Sequence, residues 1–139
     1  MSIYQNIAVA IDFSEQSMQA LDRACTLKKQ YGATLTLVAV VDTKSFGSVE
    51  AYDVKYAKQL EAEYAEKLQA LCTDYPANDV QALVKSGSPK EILTTLPNVD
   101  LVICGATGKS KPEQFMLGSI SSAIVRHAKC DVMIVRNEN

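Results

Sequence analysis

The residues of this chain best suited to chemistry are three glycines and a serine in one polar stretch. They lie in Gly105-Ala106-Thr107-Gly108-Lys109-Ser110-Lys111-Pro112-Glu113-Gln114-Phe115-Met116-Leu117-Gly118-Ser119. Glycines let backbone N–H groups approach a ligand closely, and Gly118-Ser119 reads as a helix opening, whose free N–H groups and positive dipole end attract an anion. The chemistry implied is the holding of a phosphate by main-chain donors. Lys109 and Lys111 add positive charge to the stretch, and the same glycines also suit turns and a helix cap. The second candidate is Asp12, in Ala10-Ile11-Asp12-Phe13-Ser14. With Glu15 three residues on, it can cap a helix or serve as a polar contact for a ligand beside the glycine loop.

The elements that position these residues are legible from hydrophobic period. Asn6 to Ile11 is a short apolar run with the pattern of a strand covered on both faces. Ser14 is the expected N-cap of a helix whose stripe is Ala20, Leu21, Ala24, Cys25, Leu27 and Tyr31, ending at Gly32. Thr34 to Val41 is a second strand, ending at Asp42 and followed by a loop over Thr43 to Ser48. Ala57, Leu60, Tyr64, Leu68 and Leu71 recur at three and four, predicting a long amphipathic helix between Val49 and Asp74 that Pro76 closes. Val80 to Lys85 is a third strand. Ser88-Pro89-Lys90-Glu91 then forms a capping box with proline in the first turn, opening a short helix through Ile92, Leu93 and Leu96 to Pro97. Leu101 to Cys104 is an apolar, central strand. A last helix spans about Ser119 to Ala128, and Val132 to Val135 is the closing strand.

Strand and helix alternate throughout. That predicts right-handed crossovers and an α/β fold: an open, doubly wound, five-stranded parallel sheet with helices on both faces. Two strand orders fit, one with strands one and four adjacent at the switch point and one, flavodoxin-like, with strands one and three adjacent. In either, ligands bind at the carboxyl end of strand one, so the loops that matter begin at Asp12, Asp42, Gly87 and Gly105.

The 139 residues predict a single domain over 1–139, and 47% apolar with 22% charged residues predicts an ordinary globular core. A formal charge of -2 leaves no basic excess for a nucleic-acid backbone or an anionic membrane. Cys25, Cys72, Cys104 and Cys130 are far apart with no Cys-x-x-Cys pair, and His127 is the single histidine, so the thiols read as reduced core residues rather than zinc ligands. Met1 to Asn6 has no basic-then-apolar pattern and no run approaches the roughly 18 residues of a membrane span, which points to the cytoplasm.

Familiar phosphate motifs do not fit. Gly108-Lys109-Ser110 is not a P-loop, because Ile103 stands where the first glycine belongs and Pro112 follows. No glycine lies between the first strand and Gly32, so no dinucleotide fingerprint forms there. The third strand ends in Lys85-Ser86-Gly87, not in the acidic cluster of a phosphorelay receiver. No nucleophile, base and orienting acid assemble either. His127, with Arg126 and Lys129, suits a helix C-terminus, and Cys104 in apolar surroundings is expected to be inert.

Three separated stretches resemble the universal stress protein family: Asn6-Ile7-Ala8-Val9-Ala10-Ile11-Asp12-Phe13-Ser14, Gly87-Ser88-Pro89-Lys90-Glu91-Ile92-Leu93, and Asp100-Leu101-Val102-Ile103-Cys104-Gly105. The loop is the most specific part. The nucleotide-binding subclass of that family carries two glycines three apart, nine further residues, then Gly-Ser or Gly-Thr, a pattern met by Gly105, Gly108, Gly118 and Ser119. The resemblance implies the adenine nucleotide alpha hydrolase-like sheet and a bound ATP or other adenine nucleotide, with Mg²⁺ or Mn²⁺ on its phosphates. Adenine would lie against Ala10, Ile11, Asp12 and Val40, and phosphates against Gly105, Gly108, Gly118, Ser119 and Ser121. Cys104, Lys109 and Ile120 complete the expected binding set. It also implies a homodimer through the Val132–Val135 edge strand, which has no Pro, Lys or Gly to block pairing. The functional expectation is an ATP-binding regulatory protein, with at most slow hydrolysis. The alternatives are a dimeric interaction protein without nucleotide and an ATP-splitting enzyme. Cys130-Asp131-Val132 lacks a proline common in relatives, and Pro112 and Glu113 make the loop less basic than many.

Overall fold

The computed structural model describes residues 3–45, 50–73, 79–107 and 117–136. In chain order the elements are β1 (Asn6–Ala10), α1 (Glu15–Tyr31), β2 (Thr34–Asp42), α2 (Glu50–Cys72), β3 (Val80–Gly87), α3 (Pro89–Thr94), β4 (Leu101–Gly105), α4 (Ser119–His127) and β5 (Asp131–Val135). The strands form one parallel sheet in the order β3-β2-β1-β4-β5. Of the two orders the alternation allowed, the one with strands one and four adjacent is adopted. The chain therefore reverses its direction of travel between β1 and β4, and their carboxyl ends part around a crevice.

Side chains alternate along each strand, so the sheet divides the core in two. Ile7, Val9, Leu35, Leu37, Leu101 and Ile103 face α1 and α2, packing with Ala20, Leu21, Ala24, Cys25, Leu68 and Cys72. Ala8, Val38, Val102 and Cys104 face the other way, against Leu93 of α3 and Ile124 of α4. Every residue of β4 is buried, as its uninterrupted apolar sequence requires. Each fully buried Leu, Ile or Val contributes about 1.5–3 kcal/mol, and most of these residues stand on the three inner strands β2, β1 and β4.

Local chemistry sets the helix ends. Ser14 Oγ accepts from Ser17 N–H at 3.2 Å to open α1, and Gly32, at φ 65°, closes it in the left-handed conformation that glycine adopts without penalty. Ser88 Oγ accepts from Glu91 N–H at 3.4 Å, with Pro89 in the first turn of α3.

Several boundaries differ from the expectation, most by one residue, and three differ in ways that the structure explains. Helix α3 ends at Thr94 rather than near Pro97. The hydroxyls of Thr94 and Thr95 donate to the Lys90 and Glu91 carbonyls, and Thr95 N–H donates to Ile92 O, which finishes the helix early. Strand β3 runs two residues past Lys85, because β2 continues to Asp42 and pairs Val41 with Ser86 and Asp42 with Gly87. The segment after β2, expected as loop from Thr43, begins with a 3₁₀ turn over Thr43–Ser45. Pro76, and the rest of that segment through Ser48, lie outside the described residues.

Candidate functional site

The crevice at the β1/β4 switch point is a cleft of ≈ 320 Å³. That is within the size range of small-molecule sites, about 300–1,000 Å³. Its floor is apolar: Ala10 and Ile11 at the end of β1, Val38 and Val40 on β2, and Cys104 on β4. Four helices wall it. Ser17 comes from α1, Tyr64 from α2, Pro89 and Leu93 from α3, and Gly118, Ser119, Ile120 and Ser121 from the start of α4.

The β1 side is built by a tight turn. Ile11 N–H donates to Val38 O at 2.8 Å, which carries the sheet one residue beyond β1. The Asp12 carboxylate then accepts from Ser14 N–H at 3.0 Å. This closure holds Phe13 at φ 65°, a left-handed conformation that disfavours a residue with a side chain by about 1–2 kcal/mol. The Phe13 ring is compensated by packing edge-on against Tyr64, 5.1 Å between centroids, with Lys67 Nζ 5.0 Å from its own centroid. Asp12 is thus aimed by its own backbone bond, and the turn is braced on α2. A carboxylate holding one N–H keeps lone pairs for further donors.

The β4 side is built by close approach. A Cβ on Gly105 would lie 3.1 Å from Gln16 Cβ and 3.3 Å from both the carbonyl carbon and oxygen of Gln16, so glycine is what lets the strand end lie on the first turn of α1. Gln16, itself 6% exposed, accepts at Oε1 from Thr107 N–H at 3.0 Å. Ala106 N–H donates to Val135 O and Ala106 O accepts from Gly118 N–H at 2.8 Å, which brings the two ends of the glycine loop together. Gly118 is the N-cap of α4 and offers no side-chain hydrogen bond. The first-turn N–H groups of Ser119, Ile120 and Ser121 have no acceptor within the helix, and with the helix dipole they form a positive pole at the cleft.

Ten of the twelve expected site residues line this cleft: Ala10, Ile11, Asp12, Val40, Cys104, Gly105, Gly118, Ser119, Ile120 and Ser121. Gly108 and Lys109 lie outside the described residues. Two of the ten have structural duties that spacing did not disclose. Gly105 is required by α1, as above. The Ser121 hydroxyl donates to Gly105 O at 2.7 Å, so its proton is committed and its backbone N–H is the group left for an anion. Burial pushes the Cys104 thiol up to about 11, with Ser121 opposing the shift, so the thiol is protonated and unreactive near neutrality.

Sequence reasoning missed Ser17, Val38, Asp42, Tyr64, Pro89, Leu93 and Thr107 as cleft residues. Asp42 had a signal, since it ends a strand beside the switch point. Tyr64 had none, because on a helical stripe it is indistinguishable from core. With Asp42 added, the cleft has carboxylates on its β1 and β2 side and a helix N-terminus on its β4 side. Such polarity suits a ligand with hydroxyl or amine donors at one end and an anion at the other.

Among the described residues no helix is long and apolar enough to cross a membrane, and no three His, Cys, Asp or Glu side chains are grouped to hold a metal. A sequence model of the universal stress protein family matches residues 3–136. A Staphylococcus haemolyticus protein named for that family is 36% identical, covering 99% of this chain and 88% of its own length. A Staphylococcus aureus relative of the same name is 37% identical over 99% of this chain and 87% of its own. Among solved structures, UspA from Lactobacillus plantarum superposes with a TM-score of 0.80 at 30% identity, covering 96% of this chain and 98% of that one. A universal stress protein solved in complex with cAMP gives 0.62 at 25% identity, covering 97% and 98%. The protein MJ0577 shares the fold most fully of these, at 0.87 over 99% of both chains with 24% identity. The match along nearly the whole chain, together with the sheet order and the helix cover, leads to one assignment: this chain belongs to the universal stress protein family.

Proposed function

We propose that this chain is a cytoplasmic, ATP-binding regulatory member of the family, working as one domain over residues 1–139. The observation that carries the reading is the polarity of the cleft: an uncapped α4 N-terminus and Gly118-Ser119 on one side, an apolar floor and Asp12 on the other. Adenine fits between Ala10, Ile11 and Val40, with Asp12 accepting from the base or ribose. The phosphates take the N–H groups of Ser119, Ile120 and Ser121, with Gly105, Gly108 and Lys109 completing the loop. Mg²⁺ or Mn²⁺ enters on the phosphates, where it neutralises their charge. A relative solved with cAMP, itself an adenine nucleotide, supports the ligand class.

Isothermal titration with ATP and Mg²⁺ tests the proposal. Binding is expected in the native protein and its loss in Gly118→Val. Gly118 lines the cleft at φ -65° and ψ 168°, extended angles that valine also adopts, so the substitution adds a branched side chain at the site without backbone strain. No heat with either protein, and no adenine compound released on denaturing fresh material, would refute it.

A second reading, dimeric interaction, is favoured by one surface. Strand β5 is at the sheet edge, with Val132, Met133 and Ile134 half-buried, and Val125 of the neighbouring α4 is 50% exposed. Pairing of two β5 strands about a twofold axis covers that surface, and it is compatible with nucleotide binding. A dimer mass by light scattering at micromolar concentration is expected, and a monomer mass would count against it.

A further inference from the structure

Thr107, which no feature of the glycine pattern singles out, carries the most unusual atom of the cleft. Its Oγ1 is buried and has no hydrogen-bond partner among the described residues, while the residue lines the cleft wall. Buried hydroxyls without a partner are uncommon, because the lost hydration is not replaced. The other such atom among the described residues, Gln19 Oε1, belongs to a residue that does not line the cleft.

The backbone leading into Thr107 is fixed. Its N–H is held by the buried Gln16 side chain, Ala106 is bonded through both its N–H and its carbonyl, and Gly105 lies against the Gln16 backbone. The side chain is the part left free to move. One step of about 120° in χ1 between staggered positions moves the hydroxyl to a new direction, such as the one the methyl held, without moving the main chain. Valine has the same shape and would fill the site without an orphaned hydroxyl. Among the described residues no group pairs with this oxygen, and the residue borders the cleft, so a ligand there is the partner within reach.

We infer that Thr107 is a ligand-binding residue whose hydroxyl donates a hydrogen bond to a phosphoryl oxygen, held in place by Gln16 as a positioning residue. The inference rests on the nucleotide reading above. Thr107 follows β4 and shares that side of the cleft with Gly118 to Ser121, where the anionic part of a ligand would lie. A phosphoryl oxygen only accepts, and a hydroxyl with no other partner can give it the donor.

The test compares the native protein with Thr107→Val and Thr107→Ser, titrating each with ATP plus Mg²⁺ and with adenosine, and melting each without ligand. Thr107→Val is expected to weaken ATP by about ten- to thirty-fold, the loss typical of one hydrogen bond to a charged group, and adenosine by less than about threefold. Thr107→Ser is expected to restore ATP affinity to within about threefold of native. The ligand-free melting temperature of Thr107→Val should be equal to or above the native value, since the variant removes an unpaired buried hydroxyl. Native binding with no change in Thr107→Val would overturn the inference and leave the nucleotide reading standing. A lowered melting temperature with equal loss of ATP and adenosine would overturn it too, by showing a structural role. Failure of the native protein to bind either compound would overturn both.

Discussion

Replacing Gly105 by alanine separates two explanations of the same glycine. On the sequence pattern alone, Gly105 is there to let a phosphate reach the backbone, so alanine should affect the ligand and little else. In the structure its absent side chain makes room for α1. The added Cβ would stand 3.1 Å from Gln16 Cβ and 3.3 Å from Gln16 C and O. None of these atoms can be moved by a rotamer change, so either the strand end or the first turn of α1 must shift by a few tenths of an ångström. Overpacking of this kind destabilises by about 1–3 kcal/mol, partly offset by about 0.4–1 kcal/mol because alanine restricts the unfolded chain. The net expectation is a loss of roughly 0.5–2.5 kcal/mol. For 139 residues the unfolding entropy is about 0.3 kcal/mol/K, so the ligand-free melting temperature should fall by about 2–8 °C. Urea titration should show the same loss at unchanged m-value, since the surface exposed on unfolding is nearly the same. The shift also strains the Gln16 Oε1 to Thr107 N–H bond of 3.0 Å, so ATP affinity should fall in parallel. A Gly105→Ala protein that melts at or above the native temperature would refute the packing argument, whatever it does to ligand binding.

Other expectations follow from single features. Cys104 titrates at about 11 in the folded protein against 9.0 ordinarily, so the stability present below pH 9 is lost as pH rises from 9 to 11. That loss amounts to about 2–3 kcal/mol for this group, and urea midpoints across the range should fall more steeply in the native protein than in Cys104→Ala. Ile103→Ala, at a position with 0% exposure, should lower stability by about 2–5 kcal/mol in urea titration, whereas Ile3→Ala, at 73% exposure, should stay within about 0.5 kcal/mol. Gly32→Ala forces a Cβ into φ 65° and should lower stability by about 1 kcal/mol, a melting shift near 3 °C, although nothing lies within 4 Å of the added atom.

The elements were legible wherever local chemistry decides them. Ser14 and Gly32 bracket α1 where the cap residues predict. The apolar run Leu101–Cys104 is the fully buried strand that its composition demands. Boundaries moved where a partner decides: β3 lengthens because β2 offers it two more residues to pair with, and α3 shortens because threonine hydroxyls capture its last carbonyls. The site was legible along the chain but not across it. Asp12 and the pair Gly118-Ser119 declared themselves by type and spacing, whereas Tyr64, Asp42 and Thr107 reach the cleft from elements whose patterns encode only burial or strand termination.

By itself, then, the sequence determined the alternation of strands and helices, the two faces of each strand and the spacing of the glycine loop, because period, capping and turn chemistry act over a few residues. Strand order was open between two arrangements, and only the tertiary structure decided it by setting β4 beside β1. The same packing changed the meaning of residues already singled out. Gly105 became a contact with Gln16, and the Ser121 proton went to Gly105 O. Contacts between residues 16 and 105, or 107 and 16, join segments some ninety positions apart. No local pattern records such a distance, and it is across that distance that the polarity of the cleft is assembled.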